Sequence, residues 1–367
     1  GLMRPTWAVI DLEAIAANVV RFADLVGDAE LCAVVKADGY GHGAVPVART
    51  ALRAGATWLA VALVEEAAEL RREGVEAPIL LLSEPRPAEM AEVAGLGGVR
   101  PTVYTPDGVE AFAATAAPGS PVHLKVDTGM HRVGVAPHGV VDLAGRVVGA
   151  GLALEGVFTH FALADRTDEP ITGLQIERFD AVLAELADAG FDPPLTHQAN
   201  TAGVLNRPDS HRSMVRIGVG IYGVEPSPLL RSRCRELGLQ PAVLLRSEVS
   251  HLQVVGPGEG VGYSHRWTTP AVTHLAIVPI GYADGIFRGW WEGGEVLIGG
   301  RRRPIRGLVT MDSLIVEVDE AVAVGDEVVL LGAQGDECLR AGEVGELLGT
   351  IGYEVLTSLG ARVPRRY

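Results

Sequence analysis

Cysteine is scarce in this chain: Cys32, Cys234 and Cys338 are the only three in 367 residues. An odd number at those separations gives neither a disulfide framework nor a zinc-ligand pattern. Cys32 sits in an apolar run and reads as a core residue, so a reducing, cytoplasmic compartment is expected. Basic charge is short as well, with 31 Lys and Arg against 46 Asp and Glu and a formal net charge of −15. That balance argues against nucleic acid or an anionic membrane as the main partner, yet leaves room for a small anion held by local arginines. No apolar stretch approaches ~20 uninterrupted residues, so no transmembrane helix is expected. Asp11 and Glu13 interrupt any apolar N-terminal segment, and no signal peptide is expected. Internal repeats, low-complexity tracts and long linkers are missing too.

What is present is a folding chain. Apolar content of 48% with 21% charged residues describes a globular protein, and the length predicts two domains. From residue 30 to about 220, short apolar runs alternate with amphipathic, alanine-rich stretches. The expected strands are 31–36, 58–62, 79–82, 100–103, 122–126, 156–159, 195–197 and 214–217. Helical patterns lie between them at 64–72, 139–148 and 175–189, and an earlier helix over 11–26 is capped by Asp11. Eight strand–helix alternations predict a (β/α)8 TIM barrel. An open doubly wound sheet is the runner-up, but no GxGxxG follows the first strand. After about residue 235 the texture changes to strands at 244–255, 273–279, 295–298, 314–318 and 327–331 with Gly/Pro/Asp turns. The expected architecture is therefore an α/β barrel over 1–235 followed by a mainly-β domain over 236–367.

The densest chemistry lies at Lys36, in the run Val34-Val35-Lys36-Ala37-Asp38-Gly39-Tyr40-Gly41-His42-Gly43. A lysine where a buried strand ends is partly desolvated, which favours the neutral, nucleophilic amine. Such amines form Schiff bases with carbonyl compounds, pyridoxal phosphate among them. The glycines permit close backbone approach to a ligand, with Tyr40 and His42 as polar contacts. The plainer alternative is a lysine that snorkels into water. In 122–132, a strand delivers charged residues into a Gly-containing turn, where Arg132 has the planar fork suited to a carboxylate. His160 follows a strand beside Phe161 and could pack against a cofactor ring or be a satisfied half-buried histidine. Arg216 is followed by Gly218 and Gly220, and could offer a phosphate nest or pair with a core carboxylate. The tyrosines of 260–265 and 281–285 sit in glycine-rich turns and are not specific alone.

Together these segments resemble, in order and spacing, the pyridoxal-phosphate-dependent alanine racemases from Trp7 to Val363. The lysine motif, Lys125 to Arg132, Arg216 to Gly223, Gly281 to Gly285, and Tyr353 with Arg362-Val363-Pro364 carry the resemblance. It implies that Lys36 holds pyridoxal 5'-phosphate covalently and is one of two acid/base groups. The second is Tyr263, supplied by the other subunit of a homodimer with composite sites. Arg132 is implied as anchor for the substrate carboxylate and the phenolate, and His160 as the residue that orients Tyr263 near the ring. Tyr40, Thr201, Gly218, Val219 and Tyr353 fall where the family holds the phosphate, and Arg216 where it meets the pyridine nitrogen. Met311 and Asp312 match the partner-derived substrate pocket, Tyr282 the access channel, and Lys125 a lysine that can be carbamylated and brace Arg132. No metal is implied. The implied activity is interconversion of L- and D-alanine, supplying D-alanine for peptidoglycan.

Two bases on opposite faces suffice to remove and return an α-proton. Tyrosine's ordinary pKa of about 10 requires a nearby cation such as Arg132. Arginine only donates, so Arg216 against the pyridine nitrogen leaves that nitrogen unprotonated, which disfavours transamination. His131 stands where the family usually has glycine, Thr201 where serine is common, and Asp38-Gly39 where Asn-Ala is common. Thr310-Met311-Asp312-Ser313 stands for the more usual Cys-Met-Asp-Gln. The competing readings are a broader amino-acid racemase acting on serine, a non-catalytic pyridoxal-phosphate-binding protein and a decarboxylase of basic amino acids. The second resembles the barrel half only, and the third needs a cysteine near Tyr263 or Met311 that this chain does not have.

Overall fold

The computed structural model describes residues 4–367. The expected barrel strands form, as Glu30–Val34, Trp58–Val61, Ile79–Leu81, Val99–Arg100 with Thr102–Val103, Pro121–Lys125, Ala153–Phe158, Leu195–His197 and Met214–Ile217. Each is parallel to its neighbours, and the last returns to pair with the first. Pro101 splits the fourth strand because it has no N–H to give the ladder. Val99–Arg100 bonds the third strand and Thr102–Val103 the fifth, so the ring closes through this divided strand. Its core is aliphatic on the strands, with Leu31, Leu59, Leu80 and Leu124 fully buried.

The helices at Val64–Arg72, Val140–Gly149 and Ile171–Asp188 follow the sequence periodicity. Ala44–Arg53 was not marked by it. Pro46 lies in that helix's first turn, where a missing N–H breaks no intrahelical bond. Asp11 caps Leu12–Val26 as expected, its Oδ1 accepting from the Ala14 N–H at 2.9 Å.

The chain enters through the second domain rather than the barrel. Trp7–Ile10 runs antiparallel to Val243–Glu248 and parallel to Arg365–Arg366 in a seven-stranded sheet. The stretch expected as one strand over 244–255 is two. Val243–Glu248 belongs to the large sheet, while His251–Val255 pairs with Thr273–Val278 in a three-stranded sheet. The break falls at Val249 and Ser250, whose N–H groups bond Asp326 and Ile277 carbonyls and turn the chain from one sheet to the other. Short helices at Ala341–Leu347 and Gly352–Thr357 complete the domain and bring Tyr353 back against the barrel rim. Among the described residues no helix is long and apolar enough to cross a membrane.

Candidate active site

The first barrel strand ends at Val34, and the backbone then enters an unusual turn. Ala37, Asp38, Gly39 and Tyr40 all have φ between 52° and 59°, the left-handed helical region. Side-chain-bearing residues adopt it at a cost, so contacts from outside the turn must hold it. Glu66 accepts from the Ala37 N–H at 2.6 Å and from the Ala62 and Leu63 N–H groups at 2.8 and 3.0 Å. Asp38 Oδ1 accepts from the Ala44 N–H at 2.8 Å, and Arg365 Nε donates to the Gly41 carbonyl at 2.9 Å. The glycines serve the chain itself: a Cβ on Gly41 would lie 2.6 Å from the Leu356 carbonyl. His42 is likewise no ligand contact. It is buried, its Nδ1 bonding the Tyr40 carbonyl. The turn leaves Lys36 half-buried at the rim and Tyr40 inside.

Both face a cavity of about 570 Å³ at the C-terminal end of the barrel strands. Ten of the residues singled out in the sequence line it: Lys36, Tyr40, Lys125, Arg132, His160, Thr201, Arg216, Gly218, Val219 and Tyr353. Four are lysine or arginine, and no carboxylate lines the cavity among the described residues. A chain with net charge −15 has thus built a cationic chamber, which fits a small anion. Burial lowers the Lys36 pKa, Arg132 lowers it further, and Glu66 opposes both. Burial, with Arg216, Arg132 and Lys36 adding to it, brings Lys125 down to about 7.

Arg216 is buried in the barrel and lies over the Phe158 ring. Its Nη2 donates to the Thr159 carbonyl at 2.9 Å and to His160 Nδ1 at 3.1 Å, and its Nη1 to His197 Nδ1 at 2.7 Å. None of these partners is a carboxylate, so the core ion pair weighed from sequence is not what forms. Its Nε–H and one Nη1 hydrogen have no protein partner among the described residues. Since arginine can only donate, His160 accepts at Nδ1 and carries its proton on Nε2. Burial and the charges of Arg216, Lys125, Arg132 and Lys36 keep this ring neutral, its pKa well below the ordinary value.

Next to Arg216, a small polar cradle forms. The Thr201 hydroxyl accepts from the Gly218 N–H at 3.2 Å and the Gly220 N–H at 3.4 Å. A Cβ on Gly218 would lie 2.5 Å from the Tyr40 hydroxyl, so only glycine lets that hydroxyl approach the backbone. Two tyrosine hydroxyls, a threonine and backbone N–H groups suit a phosphate, Lys36 suits an aldehyde, and the free donors of Arg216 suit a ring nitrogen. The cavity therefore fits pyridoxal 5'-phosphate with room for a small amino acid.

Tyr263, Tyr282, Met311 and Asp312 do not line it. They stand on the second domain, with Tyr263 68%, Met311 52% and Tyr282 42% exposed. Three of them form one rigid unit. The Tyr282 N–H donates to the Thr310 carbonyl at 2.9 Å, the Ala283 N–H to the Met311 carbonyl at 3.0 Å, and Arg362 to Asp312 at 2.8 Å. Gly281 permits this, since a Cβ there would lie 2.3 Å from the Thr310 carbonyl. His131 takes a φ of 55°, where glycine would be unstrained, with its Nδ1 3.3 Å from Asp127.

Sequence reasoning missed Phe158, Asn200 and Glu66. Asn200 lines the cavity and caps Thr201–Asn206 through the Gly203 N–H. A polar residue directly before a short helix was the available mark. Glu66 had a local mark only for its capping role, three residues after Leu63 at the start of Val64–Arg72; its bond to the Ala37 N–H depends on the barrel bringing the two together.

Both domains of the chain resemble known proteins. Residues 10–226 match the family model described as alanine racemase, N-terminal domain, and residues 242–367 the alanine racemase, C-terminal domain. The alanine racemase of Symbiobacterium thermophilum is 43% identical over 371 residues, covering 100% of this chain and 97% of the relative. That of Thermobifida fusca is 40% identical, covering 98% and 97%. The crystal structure of alanine racemase from Bacillus anthracis with bound L-Ala-P superposes with a TM-score of 0.92 at 39% identity, covering 100% and 95%. That from D-cycloserine-producing Streptomyces lavendulae gives 0.94 at 38%, covering 100% and 98%.

Proposed function

This chain belongs to the alanine racemase family and interconverts L- and D-alanine, and we propose that it does so in the cytoplasm as a homodimer, with Lys36 and Tyr263 as its two bases around pyridoxal 5'-phosphate. The family uses that cofactor and supplies D-alanine for peptidoglycan. When bound, the cofactor withdraws electron density from the α-carbon and so lets its proton leave. The observation that carries the site assignment is the convergence of Lys36, Arg132, His160 and Arg216 on one cavity that no carboxylate lines among the described residues.

Lys36 is held at the rim by the left-handed turn, and burial with Arg132 lowers its pKa, which favours the neutral amine that takes a proton at the α-carbon. Tyr263 of the partner subunit returns a proton from the opposite face, which accounts for a catalytic tyrosine left exposed on its own chain. Arg132 gives a carboxylate two parallel N–H donors and stabilises the phenolate. His160, neutral with Nε2–H, can donate into the cavity and orient that phenol. Tyr40, Thr201, Gly218, Val219 and Tyr353 hold the phosphate. Arg216 presents only donors and keeps the ring nitrogen unprotonated, steering against transamination. Lys125, with a pKa of about 7, is an amine that can add carbon dioxide, and the carbamate would brace Arg132. Met311 and Asp312, with Tyr282 at the access channel, close the substrate pocket from the partner subunit.

The test is incubation of the pyridoxal-phosphate-loaded protein with L-alanine in D₂O, followed by proton NMR and chiral separation. α-Deuterium with D-alanine is the expected result. Cofactor binding with neither exchange nor inversion would refute it.

A further inference from the structure

The barrel interior holds two fully buried histidines that the racemase mechanism leaves unused, His123 and His197. They connect Arg216 to a carboxylate. His197 Nδ1 meets Arg216 Nη1 at 2.7 Å, His197 Nε2 meets His123 Nδ1 at 2.9 Å, and His123 Nε2 meets Glu155 Oε2 at 3.2 Å. Arg100 completes the line on Glu155 with bonds of 2.9 and 3.1 Å.

Arginine's inability to accept fixes every proton in this line. His197 Nδ1 must be an acceptor, so its proton is on Nε2. His123 Nδ1 must then accept, which puts its proton on Nε2, pointed at Glu155. Neither ring can be cationic, because a second ring proton would face another donor. Burial and the Arg216 charge push the His197 pKa well below its ordinary value in agreement. Burial alone would raise the Glu155 carboxyl, but the bonds from His123 and Arg100 outweigh it and bring it down to about 2. The rings are also wedged. Phe158 stacks on His197 at 4.5 Å and 7° between planes, and a Cβ on Gly156 would lie 2.4 Å from His123 Nδ1.

We propose that Glu155, His123 and His197 are positioning residues of this racemase, a one-way hydrogen-bond chain that locks the Arg216 guanidinium and keeps its free donors turned to the cofactor ring. The proposal rests on the racemase reading only for the group that Arg216 faces. The tautomers follow from the contacts alone.

The experiment is ¹⁵N NMR of histidine ring and arginine side-chain signals in the full-length protein, with and without pyridoxal phosphate, for the parent and for Glu155→Gln. Glutamine keeps the volume and an acceptor but removes the charge, so the barrel is preserved. The expected result is Nε2–H on both rings and Arg216 Nη signals that exchange slowly. E155Q should shift the His123 and His197 ring protons together, speed the Arg216 rotation and lower kcat more than KM for alanine. An Nδ1–H on either ring overturns the proposal, as does an E155Q that leaves His197, Arg216 and kcat in place. Absent racemisation in the parent protein would remove the racemase reading without touching the tautomers, so the two failures are distinguishable.

Discussion

Glu66 offers the sharpest test of how the catalytic lysine is held. Ala37, Asp38 and Tyr40 are non-glycine residues in left-handed conformation, and at ~1–2 kcal/mol each the turn stores roughly 3–6 kcal/mol of backbone cost. The Glu66 carboxylate reaches the first of them directly, at 2.6 Å from the Ala37 N–H, while capping Val64–Arg72 through the Ala62 and Leu63 N–H groups. A bond to a charged acceptor is worth ~1.5–3 kcal/mol when shielded. These are half-solvated, so we take the low end for Ala37 and about 1 kcal/mol for the helix start. Glu66→Ala should then cost about 2–3 kcal/mol, and Glu66→Gln, which keeps neutral acceptors, about half as much. The lysine should respond as well. Glu66 raises the Lys36 pKa against burial and Arg132, so its removal lowers that pKa further and loosens the turn. Urea unfolding followed by circular dichroism reads the first effect, and the rate of pyridoxal-phosphate release after dilution reads the second. A Glu66→Ala protein within ~0.5 kcal/mol of the parent, with unchanged cofactor release, would refute the idea that this carboxylate holds the turn.

Lys36→Ala should lose the absorbance of covalently held cofactor, and a variant that keeps it would remove Lys36 from its assigned role. Tyr263→Phe should keep that absorbance and lose ~10²–10⁴-fold in turnover, most severely for one direction of proton abstraction. Undiminished rates with both L- and D-alanine would count against it. Acid stability follows from His42, whose pKa burial lowers to about 4 and whose Nε2 has no hydrogen-bond partner among the described residues. Its folded pKa lies below the unfolded value of about 6.5, so the unfolded chain binds the proton more readily. The stabilisation is complete above pH ~6.5 and is lost progressively as pH falls toward ~4, about 3 kcal/mol in all. Thermal midpoints across that window should fall with pH, less so in His42→Asn, and a flat profile in the parent would refute this.

The barrel was legible because its strands are apolar runs between amphipathic helices, and that pattern depends on local periodicity alone. The elements it hid are those whose reasons lie elsewhere in the chain. Trp7–Ile10 is a strand only because Val243–Glu248 and Arg365–Arg366, more than two hundred residues away, flank it. The bend at Val249 exists because two sheets compete for one strand. Within the site, the ten cavity residues named from the sequence lie at or beyond strand ends or on Tyr353's helix, where motif order places them. What sequence could not weigh was the partner of each buried group. A carboxylate was one expectation for Arg216, and neutral rings and carbonyls meet it instead. His42 looked like a ligand contact because it stands among glycines, yet those glycines admit the protein's own Leu356 carbonyl and Tyr367 hydroxyl.

That choice of partner for Arg216 explains how the cavity keeps its sign. A buried guanidinium needs compensation, and the nearest answer, a carboxylate in contact, would place negative charge beside the phosphate site and weaken its hold on an anion. Here the compensating charge is Glu155, two imidazole rings away and itself shared with Arg100. The intervening histidines are neutral and ordered in one direction, so they convey a hydrogen-bond acceptor to Arg216 without conveying a charge to the cavity. The arrangement also accounts for the residue type. Histidine alone among the side chains offers an acceptor and a donor on opposite sides of one flat, neutral ring, and two in series span the barrel interior. A carboxylate placed directly against Arg216 would satisfy that arginine better and serve the cofactor worse.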